Sequence, residues 1–477
     1  MGELRHNSFK IMMNDVVDFG SCCECGSCVA ACPHNVIEMV EGKPKQTAKA
    51  SAPFDFCGVS EGAGCDVCAT VCPRLWPRET HLRQSVFSKE RKDSWEGVFG
   101  VFRNIFVAKS NDPIISESGQ DGGVVTALLD WAYETGNIDG AVVSAVGEND
   151  QPCFPTPKVA KDKQSIRNSS GSWYTYCPNN LALEQVVEDD LKSVGFVGVP
   201  CQITPLRKME KMDPSFLVSE KKKPKIVGRQ REFLRGMSDR VGFSIGLFCT
   251  EVFRPELMTE KIEKEMGIPL SDIKQFNVKG EVLIYKKNGE VATIPLAEAM
   301  EQYQRPECAH CGDFSAELAD IACGGVGTER ATIVVIRTEK GEKIWKEFEA
   351  SGRVSVEPIE ENKRAWNILY RLSKRQRARV PEGPKRGGTL SNDEYDPLTD
   401  NVLTEEKLMS GKKSDEEKNQ CMDAAYAKEP RPEREIEFIA GSPIPNDQPI
   451  GEDGKKKRPL PLAKEKGGHS PMFYLKR

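Results

Sequence analysis

The stretch SCCECGSCVAACPHN at residues 21–35 decides how the chain begins to fold. Four of its cysteines follow the spacing C-x2-C-x2-C-x3-C with a proline after the last: Cys22, Cys25, Cys28, Cys32 and Pro33. Such a run lets one short loop hold three corners of a [4Fe–4S] cluster, while the fourth cysteine points into a second cluster. The spacing therefore predicts that this segment takes part in two iron–sulfur clusters.

A second run of cysteines downstream repeats the last three positions of the first. It comprises Cys65, Cys68 and Cys72 and ends in Pro73, with Cys57 as the nearby candidate for the missing position. Crossing over between the two runs assigns one set of four thiolates to each cluster. The first set is Cys22, Cys25, Cys28 and Cys72, and the second set is Cys57, Cys65, Cys68 and Cys32.

Zinc and disulfides are the alternatives for these cysteines. Zinc knuckles use four ligands and seldom place a Cys-Pro pair after x3, and disulfide frameworks belong to secreted chains. Cys23 is an extra thiol, which we expect to pack against a cluster without binding iron. Residues 1–95 are therefore predicted to form a small ferredoxin-like domain with two [4Fe–4S] clusters, in which metal replaces much of the hydrophobic core.

The composition of the whole chain limits its function classes. The 477 residues include 17 cysteines and carry a formal net charge of −5, which does not indicate a nucleic-acid-binding protein. The N-terminus lacks the apolar region of a signal peptide, and no apolar run approaches the ~18–20 residues of a membrane span. We therefore predict a cytoplasmic protein, which would reach a membrane only peripherally, through a partner.

Residues 96–380 alternate strands with helices, which predicts an α/β domain. The segment Val124–Gly136 has apolar residues at helical spacing, and its final glycine is suited to end a helix. Short apolar runs predict buried strands at Gly140–Val146, Val194–Pro200, Val241–Cys249 and Ala331–Thr338. Residues 381–477 are rich in charged residues, proline and glycine, and are predicted to form a low-order polar tail.

A basic insertion, EKKKPKIVGRQREFLRG at Glu220–Gly236, separates two of the predicted strands. The simplest interpretation is a solvated loop, because runs of like charge usually face water. The alternative is a docking patch for an acidic partner protein.

A glycine-rich turn, SGQDGGVVTALL at Ser118–Leu129, leads directly into the predicted helix. Gly119, Gly122 and Gly123 permit positive φ angles and let backbone N–H groups approach an anion. The N-terminus of the helix adds a partial positive charge. The turn therefore predicts a phosphate or pyrophosphate site, although an ordinary glycine-rich helix cap has the same pattern.

Further cysteines are candidates for a third cluster. Cys201 and Cys249 each follow an apolar strand, and ligands collect at the carboxyl ends of strands in open α/β sheets. Cys308 and Cys311 form a C-x2-C pair on a later loop. Single cysteines at strand ends are also common as small core residues. Cys323 is an alternative ligand, and plain thiols are expected at Cys153, Cys177 and Cys421.

Several motifs in the middle of the chain carry a family resemblance. They are GQDGGVVTALL (119–129), GSWY (171–174), VGVPCQITPLRK (197–208), GLFC (246–249), the stretch Phe276-x-Val278-Lys279-Gly280, and C-x2-C-x-D-F followed by ADIACGGVG (308–327). This set, between Val101 and Thr338, resembles the coenzyme F420 hydrogenase/dehydrogenase beta-subunit family. The cysteine runs in front resemble the arrangement in F420H2 dehydrogenase input subunits.

The resemblance implies a bound FAD, a [4Fe–4S] cluster near it, and hydride exchange with coenzyme F420. The residues that would hold FAD are Gly119, Gln120, Asp121, Gly122, Gly123, Gly171, Ser172 and Lys279. Trp173 stands where related sequences are expected to carry lysine. No general acid or base is evident, so no catalytic residue is assigned.

The function expected from these elements is an iron–sulfur flavoprotein oxidoreductase. It would exchange a hydride between F420 and FAD and relay single electrons through its clusters to or from a partner protein or complex subunit. One alternative is that the same flavin and clusters reduce another acceptor, a pyrrole-derived or quinone-like ring. A second alternative is an electron-relay subunit without flavin.

Overall fold

The structure, a computed structural model, describes residues 9–47, 65–75, 79–87, 98–211, 224–377 and 379. Cys57, Cys421 and the predicted tail at 381–477 lie outside these residues. In the described part of the chain, no helix has the length and hydrophobicity required to cross a bilayer.

The N-terminal segment consists of short helices and one hairpin. Its helices are α1 (Phe9–Met12, followed by a π-helical turn at Met13–Asp18), α2 (Ser27–Ala30), α3 (Val67–Thr70) and α4 (Glu79–Phe87). The hairpin pairs β1 (Ile37–Val40) with β2 (Lys43–Gln46) in antiparallel orientation. α2 begins after Gly26, whose φ of 82° is a left-handed conformation that glycine adopts without strain. This left-handed residue lies between Cys25 and Cys28, within the predicted ligand loop.

The rest of the chain is organised around one large sheet. Its strands and those of a smaller sheet are β3 (Asn104–Ser110), β4 (Gly140–Ala145), β5 (Thr156–Ala160), β6 (Val194–Gly198), β7 (Val241–Leu247), β8 (Ile273–Val278), β9 (Glu281–Lys286), β10 (Val291–Pro295), β11 (Ile321–Gly324), β12 (Thr332–Ile336) and β13 (Val354–Pro358). The large sheet has the order β13-β3-β12-β11-β7-β6-β4-β5. Its neighbouring strands β11, β7, β6 and β4 run parallel, and antiparallel strands flank them on both sides.

Helices connect the strands and cover the sheet. They are α5 (Pro113–Ser118), α6 (Val124–Glu134), α7 (Lys163–Asn168), α8 (Ala182–Glu188), α9 (Pro200–Lys211), α10 (Pro224–Ser238), α11 (Leu296–Tyr303), α12 (Glu339–Ala350) and α13 (Lys363–Arg377), with a π-helix at Leu257–Glu265. The predicted helix is confirmed as α6, and Gly136 follows its end with a φ of 73°. The predicted strands are confirmed as β4, β6, β7 and β12.

A second, three-stranded sheet was not expected from the sequence. Its order is β10-β9-β8, and it carries its own core around Phe276, Ile284 and Met300. These strands alternate apolar with polar residues, as a sheet exposed on one face does. β8 ends at Val278, so the following Lys279 projects from this small sheet toward the large one.

The basic insertion is helical where the structure describes it. Residues 224–238 form α10, so the solvated-loop interpretation is wrong for this part, while residues 212–223 lie outside the described residues. Leu234 and Met237 are buried in the main core, which explains why the segment folds against the protein. Phe233 remains 38% exposed on the outer side.

The N-terminal segment shares its hydrophobic core with the large sheet. Ala31, Val71 and Leu82 belong to one buried cluster together with Phe196 of β6 and Leu206 of α9. The side chain of Lys208, also on α9, is fully buried and donates hydrogen bonds to the carbonyl oxygens of Cys72 and Leu75. The cysteine-rich segment is thus fixed on the α/β part.

Candidate iron–sulfur and flavin sites

Thiols from both N-terminal cysteine runs border one cavity, called the first site below. They are Cys22, Cys25, Cys28 and Cys72. Crossing over between the runs assigned the same set to one cluster. Apolar side chains, among them Met12 and Met39, complete the lining.

Burial at the first site opposes ionisation of its thiols. It raises the pKa of Cys22 to about 12 and also raises the pKa values of Cys28 and Cys72. A hydrogen bond with Cys23, followed by burial, raises the pKa of Cys25. A bound iron cluster offsets this cost because its cationic metal binds the thiolate directly. The donor set therefore fits a [4Fe–4S] cluster.

The second N-terminal set is described only in part. Cys32, Cys65 and Cys68 are buried, and α2 packs against α3, which brings the two cysteine runs together. Cys32 and Cys68 belong to the same apolar cluster. Because Cys57 lies outside the described residues, the complete set stays a prediction.

The cysteines expected to form a third set border another cavity, called the third site. They are Cys201, Cys249, Cys308 and Cys311. The cavity lies at the carboxyl edge of the parallel strands, because Cys201 lies in the first turn of α9 after β6 and Cys249 follows β7. Burial raises the pKa values of Cys249 and Cys308, and a hydrogen bond with Cys23 followed by burial raises that of Cys201. These thiols therefore also suit a metal cluster.

Buried guanidinium groups lie beside the third site. Arg305 lines the cavity, and its guanidinium carbon is 5.2 Å from the centre of the Tyr176 ring. Arg379 is fully buried, donates to the carbonyl oxygens of Thr250 (2.7 Å) and Cys308 (3.3 Å), and pairs with Glu251 at 3.0 Å. Two guanidinium groups thus lie beside the place where an anionic thiolate cluster would bind, each paired with a carboxylate that also lines the cavity. Neither arginine belongs to a recognisable motif, so sequence reasoning missed both.

An ion-pair network joins the ligand loops of the first and third sites. Lys43 of β2 pairs with Glu24, next to Cys25, and with Glu307, next to Cys308. Arg305 pairs with the same two carboxylates at 3.0 and 3.7 Å. All four side chains are at most 27% exposed, so solvent screens these interactions less than ordinary surface pairs.

The remaining cysteines occupy other surroundings. Cys323, the alternative ligand, lies in β11 within the apolar core and does not border the third cavity. Cys153 donates to the carbonyl oxygen of Leu270. Cys177 borders the third cavity, but its thiol donates to Asn179 Oδ1 at 3.1 Å. Among the described residues, no three His, Cys, Asp or Glu side chains converge on one single-ion position.

The glycine-rich turn adopts a conformation that its sequence requires. Asp121, Gly122 and Gly123 have φ angles of 46°, 89° and 71°. A Cβ on Gly119 would lie 2.5 Å from the Cα of Gly123, and one on Gly123 would lie 2.3 Å from the carbonyl oxygen of Ile115. The turn therefore needs its glycines, and it directs the N-terminus of α6 toward the carboxyl edge of the sheet.

The predicted flavin residues Asp121 and Lys279 meet at this turn. Lys279 Nζ lies 2.9 Å from Asp121 Oδ1 and also donates to the carbonyl oxygen of Gly325, just beyond β11. A Cβ on Gly325 would lie 1.7 Å from Asp121 Oδ2, so the carboxylate packs directly on the glycine backbone. The small sheet, the turn and the end of β11 thus converge.

The other predicted flavin residues are connected to the turn through Tyr174. Gln120 Nε2 donates to the Tyr174 hydroxyl at 3.2 Å, and Gln275 of β8 donates to Gln120 Oε1 at 3.2 Å. Gly171 and Ser172, three and two residues before Tyr174, are half-buried. Trp173, which replaces the expected lysine, packs edge-on against Phe276 with ring centres 6.2 Å apart. It therefore belongs to the core of the small sheet.

Sequence families match three parts of the chain. Residues 15–38 match a 4Fe-4S binding domain, which confirms the iron–sulfur prediction for the first cysteine run. Residues 105–184 match the N-terminal part of the coenzyme F420 hydrogenase/dehydrogenase beta subunit, and residues 191–362 match its C-terminal part. α13 and Arg379 lie beyond the last match.

Three individual proteins that are similar to this chain are also named for coenzyme F420. Coenzyme F420 hydrogenase subunit beta of Methanosarcina barkeri is 34% identical over 278 residues, covering 58% of this chain and 88% of the relative. One of the subunits of the F420H2 dehydrogenase of Methanosarcina mazei is 30% identical over 368 residues, covering 76% of this chain and 91% of the relative. Coenzyme F420-dependent sulfite reductase of Methanocaldococcus jannaschii is 33% identical over 355 residues, which is 74% of this chain but 50% of that enzyme.

A solved structure supports the same relationship. A chain of the F420-reducing [NiFe] hydrogenase complex from Methanosarcina barkeri superposes with a TM-score of 0.53 at 31% sequence identity. The superposition covers 61% of this chain and 92% of that one.

Proposed function

The chain belongs to the coenzyme F420 hydrogenase/dehydrogenase beta-subunit family, and from this premise we propose that it is an iron–sulfur flavoprotein. It exchanges a hydride between coenzyme F420 and FAD and relays single electrons through its [4Fe–4S] clusters to or from a partner protein. The named relatives are F420-dependent oxidoreductases, so this chain is an oxidoreductase as well.

One observation carries the proposal. The thiols of the third site and the glycine-rich turn lie at the same edge of the sheet, where β6, β7 and β11 end. Ligands of open α/β sheets bind at this edge. A flavin bound at the turn would lie between a two-electron substrate and a one-electron carrier, and flavins are competent in both modes.

The residues of the turn have distinct roles in this proposal. The backbone N–H of Gly122 and the N-terminus of α6 would bind the FAD pyrophosphate. Gly123, whose N–H donates to the carbonyl oxygen of Gln120, would shape the turn. Lys279 now pairs with Asp121 and would exchange part of that interaction for a phosphate oxygen. Gln120 would be oriented by Tyr174 and Gln275 to hydrogen-bond the cofactor, and Gly171 and Ser172 would complete the pocket.

The decisive experiment measures both cofactors and the reaction in anaerobically prepared protein. FAD should be released on denaturation, iron and sulfide should be present in a cluster ratio, and F420 absorbance should bleach when reductant enters through the clusters. Iron without FAD would favour a flavin-free relay subunit. FAD without a reaction with F420 would favour another acceptor, and a colourless protein would contradict the proposal.

A matched pair of variants tests the third site. Cys308→Ser should lose about four iron atoms, the content of one [4Fe–4S] centre. Cys323→Ser changes a thiol that lies in the core away from the cavity and should leave the iron content unchanged. Equal iron contents in wild type and Cys308→Ser would refute the assignment.

The proposal also covers the partner and the location. The chain spans half of the sulfite reductase that it resembles, and a separate polypeptide would then carry the site at which the relayed electrons are used. We propose a cytoplasmic location, with any membrane association made through that partner.

A further inference from the structure

Two side chains outside the ligand sets border both the first and the third cavity. Cys23 and Arg74, together called the junction below, line each of the two cavities. The thiol of Cys23 interacts with those of Cys25 in the first site and Cys201 in the third site. A single side chain therefore lies beside one proposed iron ligand of each cluster.

Arg74 fixes the two ligand loops relative to each other. Its Nε donates to the carbonyl oxygen of Ser21 at 3.1 Å, one residue before Cys22. Its terminal nitrogen donates to the carbonyl oxygen of Glu307 at 3.4 Å, one residue before Cys308. The side chain is 3% exposed, so one buried cation lies between two places where anionic clusters would bind.

Additional contacts hold the same interface in place. Lys208, which shares α9 with Cys201, donates to the carbonyl oxygen of Cys72, a ligand of the first site. The ion pairs of Lys43 and Arg305 with Glu24 and Glu307 cross the same boundary. By contrast, Cys32, Cys65 and Cys68 do not line the third cavity. Of the two N-terminal clusters, the one at the first site therefore adjoins the third site.

We propose that the junction is the electron-transfer contact between the third site and the first site, and that the Cys32, Cys65 and Cys68 site follows the first. One electron leaves one cluster and enters the other, and no bond is made or broken. Tunnelling rates fall steeply with distance, so the adjoining pair of sites exchanges electrons first. This order depends on the proposed function only in that the clusters must be present. It does not depend on the binding of flavin or on a reaction with F420.

The junction side chains act on the clusters as positioning residues. When Cys25 and Cys201 bind iron as thiolates, the Cys23 thiol, which carries a single proton, can donate one hydrogen bond, to the ligand sulfur of one cluster or of the other. Hydrogen bonds to cluster sulfurs favour the reduced, more negative state and raise the reduction potential. Arg74 acts in the same direction through its charge, and it lowers the repulsion between two neighbouring anionic clusters.

The first test uses electron paramagnetic resonance of protein reduced chemically, without F420. Two adjoining reduced clusters should show spin–spin splitting and fast relaxation in their spectra. The signal of the cluster at the third site is the one that is absent from Cys308→Ser. Cys25→Ser perturbs the first site and should remove the splitting from that signal. The matched variant Cys68→Ser perturbs the other N-terminal cluster and should leave the splitting intact. The proposal is overturned if the splitting survives Cys25→Ser or is lost in Cys68→Ser.

The second test leaves every proposed ligand in place. Cys23→Ala should keep the wild-type iron content and lower the reduction potential of the first or the third cluster, because the cluster to whose sulfur the thiol donates loses that hydrogen bond. The control Cys153→Ala removes a thiol that donates to the Leu270 carbonyl in the core of the small sheet and should shift neither potential. Loss of four irons in Cys23→Ala would identify it as a ligand, and unchanged potentials would remove it from the path. Either result overturns its role while leaving the F420 reaction to be judged separately.

Discussion

Arg379 lies fully buried among the Glu251 carboxylate and the carbonyl oxygens of Thr250 and Cys308. Its positive charge stabilises an electron added to a cluster bound by Cys308. We expect Arg379→Gln to lower the reduction potential of the third cluster, which a redox titration followed by electron paramagnetic resonance measures. A potential that stays at the wild-type value would show that the ion pair with Glu251 already neutralises the arginine.

The same substitution should also affect stability. Removing one partner of a buried ion pair costs about 3–5 kcal/mol, because the other charge is left unpaired. Arg364→Gln provides the control, since Arg364 is 71% exposed and lies 3.8 Å from Glu329, and such surface pairs contribute about 0–1 kcal/mol. Urea unfolding of both variants compares the two effects, and equal losses would contradict the buried pairing.

Gly325 is a position at which the addition of one carbon atom should affect cofactor binding. In Gly325→Ala the new Cβ would collide with the Asp121 carboxylate and displace it from Lys279. We expect this variant to bind much less FAD, measured as flavin released per protein. Gly228→Ala is the control, because a Cβ there meets nothing within 4 Å on α10 and should leave the flavin content unchanged. Full flavin occupancy in Gly325→Ala would exclude the turn as the flavin site.

At the scale of elements, Asp320 joins three parts of the fold. It accepts hydrogen bonds from Arg207 of α9 (2.9 Å), from Ser244 of β7 (2.9 Å) and from Thr338, the N-cap of α12 (2.7 Å). Burial alone would raise the pKa of this carboxyl, but the Arg207 guanidinium and these donors hold it at about 2. The carboxylate therefore binds these elements together in its charged form.

This pKa predicts how stability depends on pH. The folded value lies below the ordinary 3.8, so the stabilisation of about 2 kcal/mol is complete above about pH 5 and is lost progressively as the pH falls toward 2. Asp320→Asn lacks this titration. The difference in unfolding free energy between wild type and Asp320→Asn should therefore shrink between pH 5 and pH 3, since acid loss of iron affects both proteins alike. A constant difference would contradict this role of Asp320.

Local patterns were sufficient for part of the fold and of the sites. The helix at 124–134 and four buried strands have continuous or periodic apolar residues, and the cysteine spacing predicted that Cys72 would join Cys22, Cys25 and Cys28. The strand order and the small sheet were not predictable, because pairing between distant segments leaves no local signal. Arg74 and Arg379 were missed as site residues for the same reason, since their roles come from contacts across the fold, whereas Cys23 was expected to pack against a cluster but not to border two sites.

At the scale of the whole molecule, α13 packs against the third site and lies beyond residue 362, where the match to the C-terminal part of the beta-subunit family ends. Trp366 and Leu369 are buried in the main core, and Gln376 donates to the carbonyl oxygen of Thr250 at 3.2 Å. A chain ending at Asn362 should therefore lose the iron of the third cluster. A chain ending at Arg379, which lacks the predicted low-order tail, should keep its full iron content. Equal iron in both truncated proteins would contradict a role for α13.

The shared core of the cysteine-rich segment and the sheet has a consequence for turnover. In many electron-transfer systems a carrier domain on a flexible linker moves between its donor and its acceptor, and this domain movement limits the rate of electron transfer. Here Ala31, Val71 and Leu82 are embedded beside Phe196 and Leu206, so folding itself sets the spacing of the centres. We therefore expect electron transfer between the centres of this chain to be insensitive to solvent viscosity. The slow steps should be the binding and release of substrate and of the partner protein.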